Sequence, residues 1–484
     1  MAFVLGAAGV FGFAPFYFFP LPVLVLAGLL HLLRDASARA AWQGGYAFGL
    51  GWFLAGVSWV YVSMHDVGGM PAPVAALAVL LFAAILALFP ALALGLSARL
   101  APGAGVRRLL LLPALWALLE WVRGWVFTGF PWQAAGFSQA PFSPLAGYAP
   151  LLGVHGVTWL AVLSAACLAA WRPRPAILAA ALWAAGWGLQ RVDWTRPAGE
   201  PVSVSLLQGN VAQEMKFRPE KLQSTLDTYR RLALDSRARL IVLPETALPI
   251  FLDDTPLDYL LDLAGHANGQ GGGLLLGVPE RETAGRYYNS VAALGGERLQ
   301  VYRKVHLVPF GEFVPWGFRW FIDLMHIPLG DFSRGRPGQA PMAVAGQRVA
   351  VNICYEDVFG EELIAALPEA TLMANLSNDA WFGDSFAPWQ HLQISQMRAL
   401  ETGRWWLRAN NTGITAILDE KGRVVAHLEP FTTGSLHGQA QGMRGLTPYA
   451  RWGNAGFLVL AGLAVAVGFG LARRQAPASL TADR

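Results

Sequence analysis

The chain has 484 residues, of which 54% are hydrophobic and only 14% charged, and its formal net charge is +4. That balance excludes an ordinary soluble protein, and a small net charge with basic residues clustered in short loops argues against a nucleic-acid binder, leaving a membrane protein long enough for two or more domains. The two cysteines, Cys167 and Cys354, exclude a disulfide framework and a cysteine-rich zinc site.

Apolar residues dominate 1–190 and return at 453–472, whereas 200–445 has the mixed composition of a soluble domain. Met1 to Leu33 reads as two short helices parted by a turn with Pro15 and by Pro20 and Pro22; a cleaved signal peptide is the competing reading, but the basic n-region is missing. Further spans are expected at Gln43 to Met64, Val74 to Ala98, Arg107 to Phe127, His155 to Trp171, Ala176 to Gln190 and Gly453 to Ala472, eight in all.

Loop charges orient those spans, because cytoplasmic loops carry the Lys and Arg excess. Arg34 and Arg39, Arg99 with Arg107 and Arg108, Arg172 and Arg174, and Arg473 and Arg474 follow alternate spans, so all lie on one side. The loops between, including Thr128 to Val154, have no Lys or Arg. Both termini are therefore expected in the cytoplasm and residues 192–450 outside, in the periplasm of a two-membrane bacterium. The uncharged, aromatic Phe130 to Tyr148 is expected to lie in the membrane interface, where it could guide acyl chains. Glu120 and Arg123, three residues apart, are expected to pair with one another, whether to fix a helix end or to meet substrate.

From Pro201 strands and helices alternate. Val202 to Leu207, Leu240 to Leu243, Leu274 to Val278, Ser290 to Leu294, Leu299 to Tyr302, Val349 to Ile353 and Leu372 to Ala374 read as strands. Pro219 to Arg237, Pro256 to Asn268, Gly360 to Leu367 and Pro388 to Arg404 read as helices, which makes an α/β layered domain. Three strands end on polar groups: Glu245 after Leu243-Pro244, Lys304 after Tyr302-Arg303, and Cys354 after Asn352-Ile353. A thiol needs a base to become a nucleophile, and an ammonium can stabilise both the thiolate and an oxyanion. Each residue has a bland alternative as turn cap, solvated charge or core thiol. Together they form a complete acyl-transfer set.

The blocks LPETALP, YRKVHLVPFGEFVPW and NICYEDVFG resemble the three catalytic blocks of the nitrilase (carbon-nitrogen hydrolase) superfamily. With many N-terminal spans and one C-terminal span, the whole chain resembles the apolipoprotein N-acyltransferase family. The resemblance implies an α-helical transmembrane bundle of eight spans plus an αββα sandwich. Its domains would be 1–195 with seven helices, 196–446 with the catalytic site, and 447–484 with the last helix and tail. It further implies Glu245 as general base, Lys304 as oxyanion-stabilising lysine, Cys354 as nucleophile and Glu312 as the carboxylate that orients Lys304 or the base. Tyr355 and Glu356 would shape the pocket, and Asn289, Asn378 and Trp381 would line it. Phe217 stands where the family frequently has Trp. No cofactor or metal is implied. The partners implied are a phospholipid acyl donor, phosphatidylethanolamine, and a diacylglyceryl apolipoprotein acceptor, joined through a thioester on Cys354. Water in place of the amine would make the chain a membrane-tethered amidase or hydrolase, and a non-catalytic membrane scaffold is the reading from another class.

Overall fold

The computed structural model describes all residues except 102–104, 217, 283–284, 316, 318, 320–330 and 475–484, and residues 106, 107 and 474 by backbone alone. Phe217 thus lies outside the described residues. The chain divides into two compact units, one comprising Met1–Ser58, Ala76–Val192 and the stretch from Trp452, the other Trp59–Ala75 and Asp193–Arg451.

The first unit is helical. Helices span Ala2–Ala8, Pro20–Leu32, Ala38–Gly56, Leu88–Leu100, Val106–Arg123, Ala149–Ala169, Pro173–Leu189 and Ala455–Arg474. Two of them touch through glycine: a Cβ at Gly6 would come within 2.0 Å of the Phe48 carbonyl oxygen, and one at Gly51 within 2.0 Å of that of Phe3. Such backbone approach is how apolar helices pack where burial of apolar surface supplies no driving force. Among the described residues three helices are long and apolar enough to cross a membrane, Ala72–Leu100, Pro144–Ala169 and Ala455–Arg473, or four if the pair Ala38–Gly56 and Trp59–Val67, bent by 51°, is one span. The other expected spans are short or charged. Pro173–Leu189 has 17 residues, and Val106–Arg123 includes Arg107, Arg108, Glu120 and Arg123.

The aromatic stretch Phe130 to Tyr148 departs from expectation. It is folded into the interior of this unit, with Trp132 and Phe137 each 1% exposed, whereas Phe142 is 58% exposed. Glu120 anchors it by accepting hydrogen bonds from Trp116 Nε1 (3.0 Å), Thr158 Oγ1 (2.9 Å) and the Ala135 amide (3.2 Å). Arg123 Nη1 donates to the carbonyls of Phe130 (2.5 Å) and Trp132 (2.7 Å). A Gly- and Pro-rich segment exposes many backbone polar groups, and satisfying them with two buried charges lets its rings join the core.

The second unit holds fourteen strands among the described residues. A ribbon pairs β1 (Arg196–Pro197) with β14 (Met443–Arg444). One six-stranded sheet has the order β13-β2-β3-β4-β5-β6, formed by Gly434–Ala440, Val202–Gln208, Leu240–Val242, Gly273–Arg281, Tyr287–Leu294 and Gln300–Arg303. The other has the order β12-β11-β10-β9-β8-β7, formed by Val424–His427, Ala416–Leu418, Trp406–Asn410, Leu372–Ser377, Gln347–Ile353 and Met342–Val344. Alternation along each strand assigns its faces. Val202, Val204 and Leu206 of β2, Leu240 and Val242 of β3, and Val349, Val351 and Ile353 of β8 meet in one core between the sheets. Ile241 and Leu243 face outward onto Leu226, Tyr229, Leu263 and Ala267 of the helices Pro219–Leu234 and Leu257–Gly269. Ala350 and Met373 face Leu392 and Ala399 of the helix Ala387–Thr402. The result is a four-layer αββα sandwich.

Candidate active site

Glu245 sits in a tight turn after β3, where Thr246 has φ +48°. Gly277 of β4 makes the turn possible, since a Cβ there would lie 2.1 Å from the Pro244 carbonyl oxygen and 2.7 Å from Glu245 Cα. Lys304 follows β6, and its amide donates to the Asn289 carbonyl of β5 (2.8 Å). The Lys304 ammonium, 1% exposed, lies 2.9 Å from Glu312 Oε1 and 3.4 Å from Glu245 Oε1. Asn289 Nδ2 donates to both carboxylates, at 2.7 Å each, and the Val308 amide donates to Glu312 Oε2 (2.8 Å). Burial works against the ammonium, but Glu312 and Glu245 outweigh it and hold the Lys304 pKa above the ordinary lysine value.

Cys354 ends β8 and opens a short 3₁₀ turn with φ +52°, a left-handed conformation that costs a non-glycine residue about 1–3 kcal/mol. Its carbonyl is held by Asn375 Nδ2 (3.0 Å) and faces His391 Nε2 (3.3 Å). His391 lies between two buried carboxylates, Asp357 Oδ1 at 2.9 Å and Asp379 Oδ1 at 3.0 Å, which Arg408 also bridges. Burial and Arg408 oppose a charge on the imidazole, yet the two aspartates raise its pKa to about 9, so both ring nitrogens carry protons at neutral pH. Two cations against two anions leave this buried cluster neutral, and it fixes the backbone that presents the thiol. The thiol itself is pushed well above its usual pKa by burial and then by Glu245, against the pull of Lys304. It is therefore protonated at rest and needs a base as it reacts.

Glu356, named as pocket-shaping, is a brace. Its carboxylate accepts from the amides of Val305 (2.6 Å), His306 (3.1 Å) and Ile353 (2.7 Å) and from the Tyr302 hydroxyl (3.0 and 3.1 Å), fastening the chain after Lys304 to the chain before Cys354. Burial raises its pKa to about 7, against the pull of Lys304 and those amides. Tyr355 stands edge-on to Phe359 at 5.2 Å. Asn378 donates to Gln213 Oε1 (2.7 Å) and accepts from Asn411 (2.9 Å), while Trp381 is 41% exposed.

Sequence reasoning passed over Lys216, Asn375, Asp357, Asp379, His391 and Arg408. Lys216, in the short helix Gln213–Lys216, is buried and donates from Nζ to the Glu245 carbonyl (3.1 Å). Among the described residues no group of three or more His, Cys, Asp or Glu is placed to hold a metal ion.

A carboxylate and an ammonium, buried together at strand ends beside a strained, protonated thiol, can take the thiol's proton and receive negative charge on an attacked carbonyl. Comparison with known proteins agrees with that chemistry. Residues 203–447 match the carbon-nitrogen hydrolase family, and residues 5–167 match the apolipoprotein N-acyltransferase N-terminal domain. The chain is 53% identical to an apolipoprotein N-acyltransferase of Nitrosomonas europaea over 96% of both chains. It is 52% identical to one of Chromobacterium violaceum over 94% of this chain and 90% of that one, and 49% identical to one of Ralstonia nicotianae over the same shares. The chain belongs to the apolipoprotein N-acyltransferase family.

Proposed function

We propose that the chain moves an acyl group from a phospholipid, phosphatidylethanolamine, to the α-amine of the diacylglyceryl-modified N-terminal cysteine of an apolipoprotein, through a thioester on Cys354. Glu245 accepts the Sγ proton as sulfur attacks the ester carbonyl, and Lys304 stabilises the oxyanion. Glu245 returns the proton to the departing lysophospholipid oxygen. The acceptor amine then attacks the thioester, Glu245 takes its proton, and the thiolate leaves and is reprotonated. Glu312 and Asn289 hold Lys304 and Glu245 in place. The observation that carries this reading is the buried Glu245–Lys304–Glu312–Asn289 cluster beside the left-handed Cys354.

Both substrates are lipid-anchored, which suits a catalytic domain of residues 196–446 between a seven-helix membrane domain (1–195) and a C-terminal helix (447–484). Arginines in the short loops after alternate spans, with no Lys or Arg in the short loops between, support eight spans, cytoplasmic termini and a periplasmic catalytic domain. The test is incubation with phospholipid and a diacylglyceryl lipopeptide: the proposal predicts N-acylated lipopeptide and lysophospholipid in equal amounts. Free fatty acid without acylated peptide would make the chain a hydrolase.

A further inference from the structure

Lys216 carries a charge into the site that the proposed chemistry does not use. The segment before it is fastened to the ends of β9 and β10: the Val211 amide donates to Asn411 Oδ1 (3.0 Å), Asn411 Nδ2 donates to the Val211 carbonyl (2.7 Å), and Asn378 holds Gln213. At its other end Lys216 Nζ reaches the Glu245 carbonyl. One short segment therefore ties the ends of β9 and β10 in one sheet to the turn after β3 of the other, the turn that carries Glu245 and against which Gly277 packs.

We infer that Lys216 is a positioning residue for Glu245, holding its turn through the backbone carbonyl and favouring the anionic forms of Glu245 and Cys354 as the thiol proton moves. A buried ammonium is costly unless its charge is compensated. Among the described residues a single carbonyl accepts its proton, and the groups in electrostatic reach are Glu245 and Cys354. Compensation from Cys354 arises only when the thiol ionises, so the interaction strengthens along the reaction. Lys304, paired with Glu312, meets the Glu245 carboxylate rather than its carbonyl, and Glu214 on the same turn as Lys216 is solvent-exposed. Burial lowers the Lys216 pKa to about 8, with Glu245 and Cys354 resisting, so the charge is present at neutral pH and is lost as pH rises through that value. The inference rests on Glu245 and Cys354 acting as proposed.

The test is thioester formation on the full chain in detergent micelles containing phosphatidylethanolamine, followed by intact mass against pH. Lys216→Met should form the adduct roughly tenfold more slowly at neutral pH, with the acid limb moved up by roughly half to one pH unit. Lys216→Arg should restore the limb and abolish the loss of rate above about pH 8. If Lys216→Met cannot be purified folded, Lys216→Gln keeps a donor for the carbonyl without the charge and should show the same limb shift. A neutral variant whose limb coincides with wild type, whether its rate is unchanged or lowered equally at every pH, overturns the inference. An adduct persisting in Cys354→Ala overturns the underlying assignment of the site instead.

Discussion

Replacing Glu356 by glutamine tests whether this buried carboxylate sets the spacing between Lys304 and Cys354. Its two oxygens accept from three backbone amides and one tyrosine hydroxyl. Glutamine brings an NH₂ group into a ring of donors. In its better orientation the NH₂ faces the Ile353 amide, which leaves one buried donor unpaired and weakens the remaining bonds. An unpaired buried donor costs about 1–3 kcal/mol, so the variant should be about 1–3 kcal/mol less stable at pH 5, where the native carboxyl is also neutral. For a domain of this size that is on the order of 3–12 °C in Tm. Thioester formation should fall roughly 10–100-fold at every pH, with the acid limb in place, because geometry changes and the base does not. The native carboxyl holds its proton to about pH 7, against a reference value of 4.5, so the folded state binds more protons between those values. Stability from this group therefore falls as pH rises from 4.5 to 7, by about 3 kcal/mol in total, and Glu356→Gln should lose that slope. Thermal unfolding of the full chain at pH 5 and pH 8 reads both effects. A variant that keeps the wild-type Tm, slope and rate would refute the brace.

Removing Lys304 with Met leaves Glu245 and Glu312 buried without their cation, so Lys304→Met should destabilise the chain by about 3–5 kcal/mol in denaturant unfolding and form no thioester. Gly277→Ala drives a methyl into the Glu245 turn and should cost about 1–3 kcal/mol and at least roughly tenfold in rate, whereas Gly265→Ala, in a helix with open space around it, should raise Tm slightly with activity intact. In the helical unit Trp132→Ala should cost about 3–5 kcal/mol by unfolding of the detergent-solubilised protein, while Phe142→Ala should leave Tm within about a degree of wild type.

The strands before Glu245 and Cys354 were legible because each is an apolar run whose alternate residues serve two cores and which stops at a polar residue, whereas the strand before Lys304 is half-buried and meets a core only through Tyr302. Five strands beyond Ala374 were not legible. Trp406–Asn410 includes the buried Arg408 and Asn410, and Gly434–Ala440 is mostly polar, so neither has a strand's apolar signature. The cluster behind Cys354 escaped for a related reason. Its members come from the turn after β8, the turn after β9, the helix Ala387–Thr402 and β10, and in sequence a His or Arg on such an element looks solvated. Lys216 sits in Gln-Glu-Met-Lys, and nothing local foretells that the Glu245 turn will cover it. The aromatic loop misled because Phe, Trp, Gly and Pro suit an interface and an interior equally, and the anchors that decided, Glu120 and Arg123, act through backbone groups.

The central claim is a covalent intermediate on one sulfur. Intact-mass measurement of the full chain after exposure to phospholipid should show a gain of one acyl group, removed by hydroxylamine or by an acceptor lipopeptide and absent from Cys354→Ala. An adduct of the same mass on Cys354→Ala would contradict the account.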